Sequence, residues 1–294
     1  MNEIPAFLKA RIETQYGKET AEQIFTGYAS ARPVTLRVNT LKTDRERVKQ
    51  ALTESGIAWE EVSWYSDGLI LPKACEAEIK KTALYERGEI YLQSLSSMLP
   101  PLYLGAKEGE NILDMTAAPG SKTTQLSALT NGKAFLTACE KDQIRADRLA
   151  YNIQKQGAPR VSVLCEDACK LSEYFSFDRI LLDAPCSGSG TIDLRYPLKI
   201  SEKLIANCAA LQQKLLVKGL SLLKKGGILL YSTCSILKEE NEGTVQAVLS
   251  KTKAKLVPIV PLEGLPLLPC MEGTITVAPT ALFEGFFLCA LQKA

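Results

Sequence analysis

From Asn111 onward the chain repeats one pattern: a short apolar run without alternation, a polar or reactive residue at its end, then a stretch long enough for a helix. Asn111-Ile-Leu-Asp114, Ala134-Phe-Leu-Thr-Ala-Cys139, Val161 to Leu164, Arg179 to Leu182 and Ile228 to Tyr231 are such runs. A strand with one wet face alternates polar and apolar residues; these do not, so they read as strands covered on both faces. Helices are expected up to Leu129, from Gln143 to Lys155, and at about 201–223 and 238–250. Strands and helices in this alternation argue an α/β fold, a doubly wound, mostly parallel sheet with right-handed crossovers. The tail Glu284-Gly-Phe-Phe-Leu-Cys-Ala-Leu291 supplies a last strand, for which an antiparallel pairing is open.

The first 92 residues follow another regime. Residues 1–30 read as two short amphipathic helices, with Ile4, Phe7, Leu8 and Ile12 at helical spacing. Val34 to Val38 alternates like a strand, residues 43–55 look helical before Gly56, and two short strands are expected around 57–65 and 68–71. Residues 31–92 thus form a small α+β unit of β-α-β-β pattern, and a helix from Gln93 to Leu104 leads into a larger domain spanning 93–294.

Several classes of function are excluded. The chain has no histidine, which removes Ser-His-Asp and Cys-His catalysis and His-ligated zinc. Its apolar runs are too short to span a membrane, and the start lacks a secretory pattern, so a cytoplasmic location is expected. Nine cysteines in a reducing compartment read as free thiols. Cys165 and Cys169 lack a second ligand pair, so no metal is expected. Net charge is only +2, although Arg32, Arg37, Lys42, Arg45, Arg47 and Lys49 make a local basic strip. Alone, the strip reads as a solvated face of mixed charge; as a nucleic-acid contact it would meet phosphates.

In an open α/β sheet, ligands bind beyond the carboxyl ends of the strands. Those ends carry Asp114 with Thr116-Ala-Ala-Pro-Gly-Ser-Lys122, then Glu140, Asp167, Asp183-Ala-Pro-Cys-Ser-Gly-Ser-Gly190, and Ser232-Thr-Cys-Ser235. The first loop is neither a P-loop nor Gly-x-Gly-x-x-Gly, which disfavours a pyrophosphate ligand. Glu140 stands after the second strand, where an acid accepts hydrogen bonds from both ribose hydroxyls. A phosphate-free adenosyl cofactor follows. Cys186 and Cys234 both sit near a helix start or glycine turn, settings that lower a thiol pKa from its free value of about 8.5. The other seven cysteines read as small core hydrophobes or carry no signal.

The stretches Arg37-Val-Asn-Thr-Leu-Lys42, Leu113 to Thr123, Leu182-Asp-Ala-Pro-Cys-Ser-Gly188, Tyr231-Ser-Thr-Cys-Ser235 with Glu239-Glu-Asn-Glu242, and Glu284-Gly-Phe-Phe287 resemble the Sun/nucleolar-protein family of RNA cytosine-5 methyltransferases. The resemblance covers nearly the whole chain, and the pair of cysteine motifs is its most specific part. It implies a Rossmann-like class I methyltransferase with a seven-stranded sheet and an RRM-like, RNA-facing N-terminal domain. It implies S-adenosyl-L-methionine as cofactor, held by Ala117, Ala118, Pro119, Gly120, Ser121, Lys122, Glu140 at the ribose, Arg145, Asp167 at the adenine amine, and Asp183. It further implies Cys234 as the thiol that adds to cytosine C6, Asp183 at N3 and the exocyclic amine, Lys122 near the base or nucleophile, and Cys186 in product release. The chemistry agrees, because a thiolate added at C6 turns C5 into an enamine carbon able to attack a sulfonium methyl. From chemistry alone Cys186 and Cys234 are exchangeable; the Thr-Cys-Ser motif assigns the attack to Cys234.

The sequence departs from the family at Ser121, where a glycine is usual, and before the last strand, where Ala278-Pro-Thr280 has neither histidine nor arginine beside it. With nothing after the last strand, RNA docking is expected to rest on the basic strip, on Arg195-Tyr-Pro197, or on a partner. The expected substrate is rRNA, with tRNA as the alternative, and the expected state is a monomer. Competing readings are a methyltransferase for DNA or protein, a catalytically idle RNA-binding or ribosome-assembly factor, and, more distantly, a nicotinamide-dependent oxidoreductase.

Overall fold

A computed structural model describes residues 2–294. In chain order the elements are α1 (Ala6–Tyr16), α2 (Lys18–Ala29), β1 (Val34–Val38), α3 (Arg45–Glu54), β2 (Glu60–Glu61), β3 (Gly68–Leu71), α4 (Glu76–Ile79), α5 (Ala83–Glu86) and β4 (Ile90–Leu92). After them come α6 (Leu95–Leu104), β5 (Asn111–Asp114), α7 (Ser121–Leu129), β6 (Phe135–Cys139), α8 (Gln143–Gln156), β7 (Val161–Leu164), β8 (Phe177–Asp183), α9 (Glu202–Leu222) and β9 (Leu223–Thr233). The chain closes with α10 (Glu242–Leu249), β10 (Lys255–Val257), β11 (Leu267–Leu268), β12 (Ile275–Val277) and β13 (Phe286–Gln292).

The large sheet has the order β11-β12-β13-β9-β8-β5-β6-β7, with β10 paired to β13. Strands β5 to β9 pair in parallel, and β13 lies antiparallel on β9 with Phe287 opposite Thr233. The expected seven-stranded, mostly parallel sheet is therefore its centre, extended by two short strands at β10 and β11. Consecutive residues of one strand enter opposite cores. Leu182, Leu229, Tyr231 and Phe287 pack with α9 and α10, while Leu181, Leu230, Phe286 and Leu288 pack with α6. A period of two with apolar residues at every position leaves no wet face, which is why these strands show no alternation. Strand order reverses between β5 and β8, so Asp114 and Asp183 end neighbouring strands at the point where such sheets bind ligands.

The small sheet has the antiparallel order β2-β3-β1-β4, and one face packs on α3, α4 and α5 through Val48, Leu52, Ile79 and Leu84. Asp44 starts α3 by accepting the Arg47 N–H, as a helix N-cap does. Three details differ from the sequence reading. The strand expected at 57–65 shrinks to two residues, β4 is additional, and β11 and β12 occupy a stretch with no strand signal; all are held by pairing to longer neighbours rather than by their own composition.

The other face of the small sheet does not meet solvent. Ile70 joins Leu95, Met98 and Leu99 of α6 in one core, and Arg37 is fully buried. Arg37 Nε donates to Gln93 Oε1 at 3.1 Å and Nη2 to Thr124 Oγ1 at 3.1 Å. Of the basic strip Arg37 is thus taken into the interior, while Lys42, Arg45 and Arg47 stay exposed. Arg32 donates to the carbonyls of Thr280 and Phe283, Lys42 to those of Arg87 and Lys155, while Lys49 pairs with Glu46 and Glu61 and Arg45 with Asp67. Helices α1 and α2 pack on Ile192, Leu194, Ile205, Ile236 and Leu237 of the large domain. No helix among the described residues is long and apolar enough to cross a membrane.

Candidate active site

Five strand ends converge on one edge of the sheet. β5 ends at Asp114 and turns through Met115–Gly120 into α7. Gly120 has φ 105°, and a side chain there would press on Leu149 Cδ1 at 3.0 Å, so this turn requires glycine. Carbonyls of the turn are held from α8: Arg145 Nη2 donates to Ala118 O at 3.0 Å and Asn152 Nδ2 to Pro119 O at 2.8 Å.

Beside this turn lies a cavity lined by Thr116, Ala118, Glu140, Arg145, Glu166, Asp167, Asp183 and Pro185, with Leu211 and Leu215 of α9 as an apolar wall. Glu140 is nearly fully buried; Oε1 accepts the Asp142 N–H, and Oε2 lies 3.3 Å from Arg145. Four carboxylates and an apolar wall suit an adenosyl group bearing a sulfonium charge and repel a pyrophosphate. S-adenosylmethionine therefore fits the residues present. Of the expected cofactor residues, Ala118, Glu140, Arg145, Asp167 and Asp183 line the cavity. Ala117, Gly120, Ser121 and Lys122 do not, and Pro119 faces a separate groove with Arg148 and Asn152. Glu166 and the Leu211–Leu215 wall were not legible, because a wall four residues apart on α9 faces the cavity only once the helix is docked.

Asp183 joins this cavity to the reactive groups. Its Oδ2 lies 2.7 Å from Lys122 Nζ, and Oδ1 accepts the Ser232 hydroxyl at 2.8 Å. Lys122 is buried, donates also to Ser97 Oγ at 2.7 Å, and lies 5.7 Å from the centre of the Phe286 ring. Burial opposes its charge, but Asp183 outweighs burial and holds the ammonium above its usual value, with Asp114 and Cys234 acting in the same direction. Asp114 is fully buried, with Oδ2 accepting the Thr123 hydroxyl and Oδ1 without a partner. Burial raises it to about 6, against the opposing pull of Thr123 and Lys122.

Cys186 and Cys234 face each other with Sγ atoms 2.9 Å apart, and both are free thiols. Cys186 is pushed well above the ordinary thiol range, first by its hydrogen bond to Cys234, then by burial and by the charges of Cys234 and Glu240. The lowered value expected for Cys186 from its glycine-rich turn is therefore overturned, and either sulfur can donate in the contact. The two cysteine turns are pinned together: Gly190 N donates to Cys234 O at 3.0 Å, and Gly285 N to Gly190 O at 2.7 Å. A Cβ on Gly190 would collide with the Gly285 carbonyl, which explains glycine at both positions. Ser97, Ser232 and Glu240, which join this network, carried no sequence signal of their own beyond lying in or near the motifs.

The geometry agrees with the comparisons to known proteins. The family model described as "16S rRNA methyltransferase RsmB/F" matches residues 101–292, and the ferredoxin-like domain of the same family matches residues 4–78. The small sheet's order is the ferredoxin-like one. The chain is 38% identical over 280 residues to the human 28S rRNA (cytosine(4447)-C(5))-methyltransferase, covering 89% of this chain and 34% of that protein. It is 37% identical over 273 residues to ribosomal RNA small subunit methyltransferase F of Aeromonas salmonicida, covering 88% and 57%. It is 33% identical over 280 residues to the tRNA (cytosine(49)-C(5))-methyltransferase of Pyrococcus abyssi, covering 90% and 89%. The chain thus spans between 34% and 57% of the first two relatives' length, and nearly all of the third. A crystal structure of a methyltransferase homolog protein from Pyrococcus horikoshii superposes with a TM-score of 0.87 at 33% identity, covering 99% of this chain and 96% of that one. With the paired thiols, the switch-point carboxylates and these matches together, the chain belongs to the RsmB/F family of 16S rRNA methyltransferases.

Proposed function

We propose that this protein transfers a methyl group from S-adenosylmethionine to carbon 5 of a cytosine in RNA through a covalent adduct on Cys234. The observation that carries this reading is the thiol pair, with Cys186 Sγ 2.9 Å from Cys234 Sγ and the Lys122–Asp183 ion pair beside it. One thiol suffices to add to C6; the second thiol in contact with it is what matches the two-cysteine motif pair.

When bound, S-adenosylmethionine supplies the electrophilic methyl group. Glu140 and Asp167 are assigned to its ribose hydroxyls and adenine amine, and the Ala117–Ser121 turn and Arg145 to closing the cavity around it. Asp183 is assigned to N3 and the exocyclic amine of the base, and its partners Lys122 and Ser232 hold it in place. Cys234 is assigned to the addition at C6, beside the Lys122 ammonium, and Cys186 to the release, in which the C5 proton passes to solvent water, the C5=C6 double bond re-forms and the C6–S electron pair returns to Cys234. The target base must be unstacked to reach this pocket.

The proposed substrate is rRNA, following the family description and the named rRNA relatives. A second reading, tRNA, is favoured by the relative whose length this chain nearly matches. With the small sheet covered, RNA contact is assigned to the exposed Lys42, Arg45 and Arg47 and to the Arg195-Tyr196-Pro197 turn rather than to a sheet surface. The protein is read as a cytoplasmic monomer. Bisulfite sequencing of rRNA and tRNA from cells with and without the protein tests the reading: one cytosine should lose its protection. No lost site in either RNA would overturn it.

A further inference from the structure

The two cysteine turns share an anchor outside the reactive atoms. Glu240 is fully buried just before α10 and belongs to neither turn. Its Oε1 accepts the Ser187 N–H at 2.7 Å, and Oε2 accepts the hydroxyls of Ser187 at 2.5 Å and Ser235 at 2.6 Å. Gln212 Nε2 donates to Oε1 at 3.3 Å. Ser187 directly follows Cys186, and Ser235 directly follows Cys234.

Every group on the two Glu240 oxygens is able to donate. Ser235 Oγ accepts the Leu237 N–H and sends its own hydrogen to Glu240. Ser189 Oγ accepts the Ile236 N–H and lies 2.8 Å from Ser235 Oγ, a pair in which either hydroxyl can donate. The Ser187 N–H, the Ser187 and Ser235 hydroxyls and the Gln212 amide thus supply donors to both oxygens of one carboxyl group. Donors on both oxygens of a buried carboxyl favour its ionised form.

We propose that Glu240 is a positioning residue for both cysteines: its ionised carboxylate gathers the residues that follow Cys186 and Cys234, sets the separation of the two thiols, and places a fixed negative charge beside Cys186. The proposal deepens the methyl-transfer reading and rests on it for its meaning, but its thiol measurement stands without activity. The charge matters because the two thiols need opposite protonation. Lys122 lies toward Cys234, while Glu240 lies toward Cys186 and favours its neutral form. The remaining ionisable groups around the pair are Tyr231 on β9, Cys208 on α9 and Asp183 beyond Lys122. Tyr231 donates its hydroxyl to the Glu240 carbonyl at 2.6 Å and stays neutral, so Glu240 is the standing negative charge next to Cys186.

The experiment compares Glu240→Gln with Glu240→Asp, each also in a Cys234→Ala background. The pH dependence of Cys186 alkylation by iodoacetamide is followed by mass spectrometry. Glu240→Gln should move the alkylation midpoint down by roughly one pH unit, since a nearby like charge shifts a titration by that order, and Glu240→Asp should keep it near the parent value. In the Cys234-containing protein, Glu240→Gln should lower kcat at least about tenfold with KM for RNA unchanged, as expected when reacting groups are misplaced. An unmoved midpoint in a folded Glu240→Gln protein overturns the electrostatic role. If that variant does not fold, the double variant Ser187→Ala/Ser235→Ala cuts both ties and keeps the carboxylate. Its kcat should fall about tenfold by the same misplacement, and wild-type turnover in it overturns the positioning role. A wild-type protein with no methyl transfer but a Glu240-dependent midpoint would sink the enzymatic reading and leave the anchor standing.

Discussion

The Lys122 ammonium lies 2.7 Å from an Asp183 carboxylate oxygen, and the pair joins the cofactor cavity to the thiols. Each partner alone would be a poorly compensated buried charge. Lys122→Met should therefore cost roughly 10²–10³-fold in kcat, the usual loss for one preorganised charge contact. Asp183→Asn should cost a similar factor while keeping the Ser232 hydroxyl bonded. Single-turnover methylation of a cognate RNA checks both, and a loss confined to KM would show that the pair only binds substrate.

The 2.9 Å thiol pair gives two variants with opposite signatures. Cys234→Ala should abolish methyl transfer and form no adduct. Cys186→Ala should form an adduct with RNA that survives denaturing electrophoresis, because addition proceeds and departure stalls. Adduct from the Cys234 variant alone would reverse the roles.

Asp114 predicts a pH dependence of stability. Its folded-state value is raised by burial from 3.8 to about 6, so the folded protein favours the protonated acid. The stabilisation is complete below pH 4 and is lost as pH rises through 6, a total of about 3 kcal/mol by linkage. Asp114→Asn keeps an acceptor for Thr123 and should flatten urea-unfolding midpoints between pH 4 and pH 7. An unchanged slope would remove Asp114 as its cause.

Arg37 belongs to the sequence's basic strip, yet its guanidinium lies between Gln93 and Thr124. Arg37→Ala should lower unfolding stability by on the order of 3 kcal/mol, through a cavity and stranded polar partners. Lysine should not rescue it, since it lacks the planar fork. RNA affinity of the folded variant should stay at the wild-type value; a drop in affinity at unchanged stability would place Arg37 itself in the docking surface.

The sequence by itself determined the large sheet and the loops that carry its chemistry. Asp114, Glu140, Asp167, Asp183 and Cys234 were readable because a strand covered on both faces must be apolar throughout, so any reactive group has to wait for the strand end. It also disfavoured a pyrophosphate-bearing cofactor, since no glycine fingerprint follows β5. Only the tertiary structure decided which of those groups meet. That Lys122 reaches Asp183, that the two thiols touch, and that Glu240 receives protons from both cysteine turns depend on β8 and β9 lying in register, Asp183 opposite Ser232. The fate of the basic strip was decided there too. A cation's sequence neighbours do not say whether it meets water or a carbonyl 45 to 251 residues away, and burial, which separates Arg37 from the exposed Arg47, is a property of the packed chain.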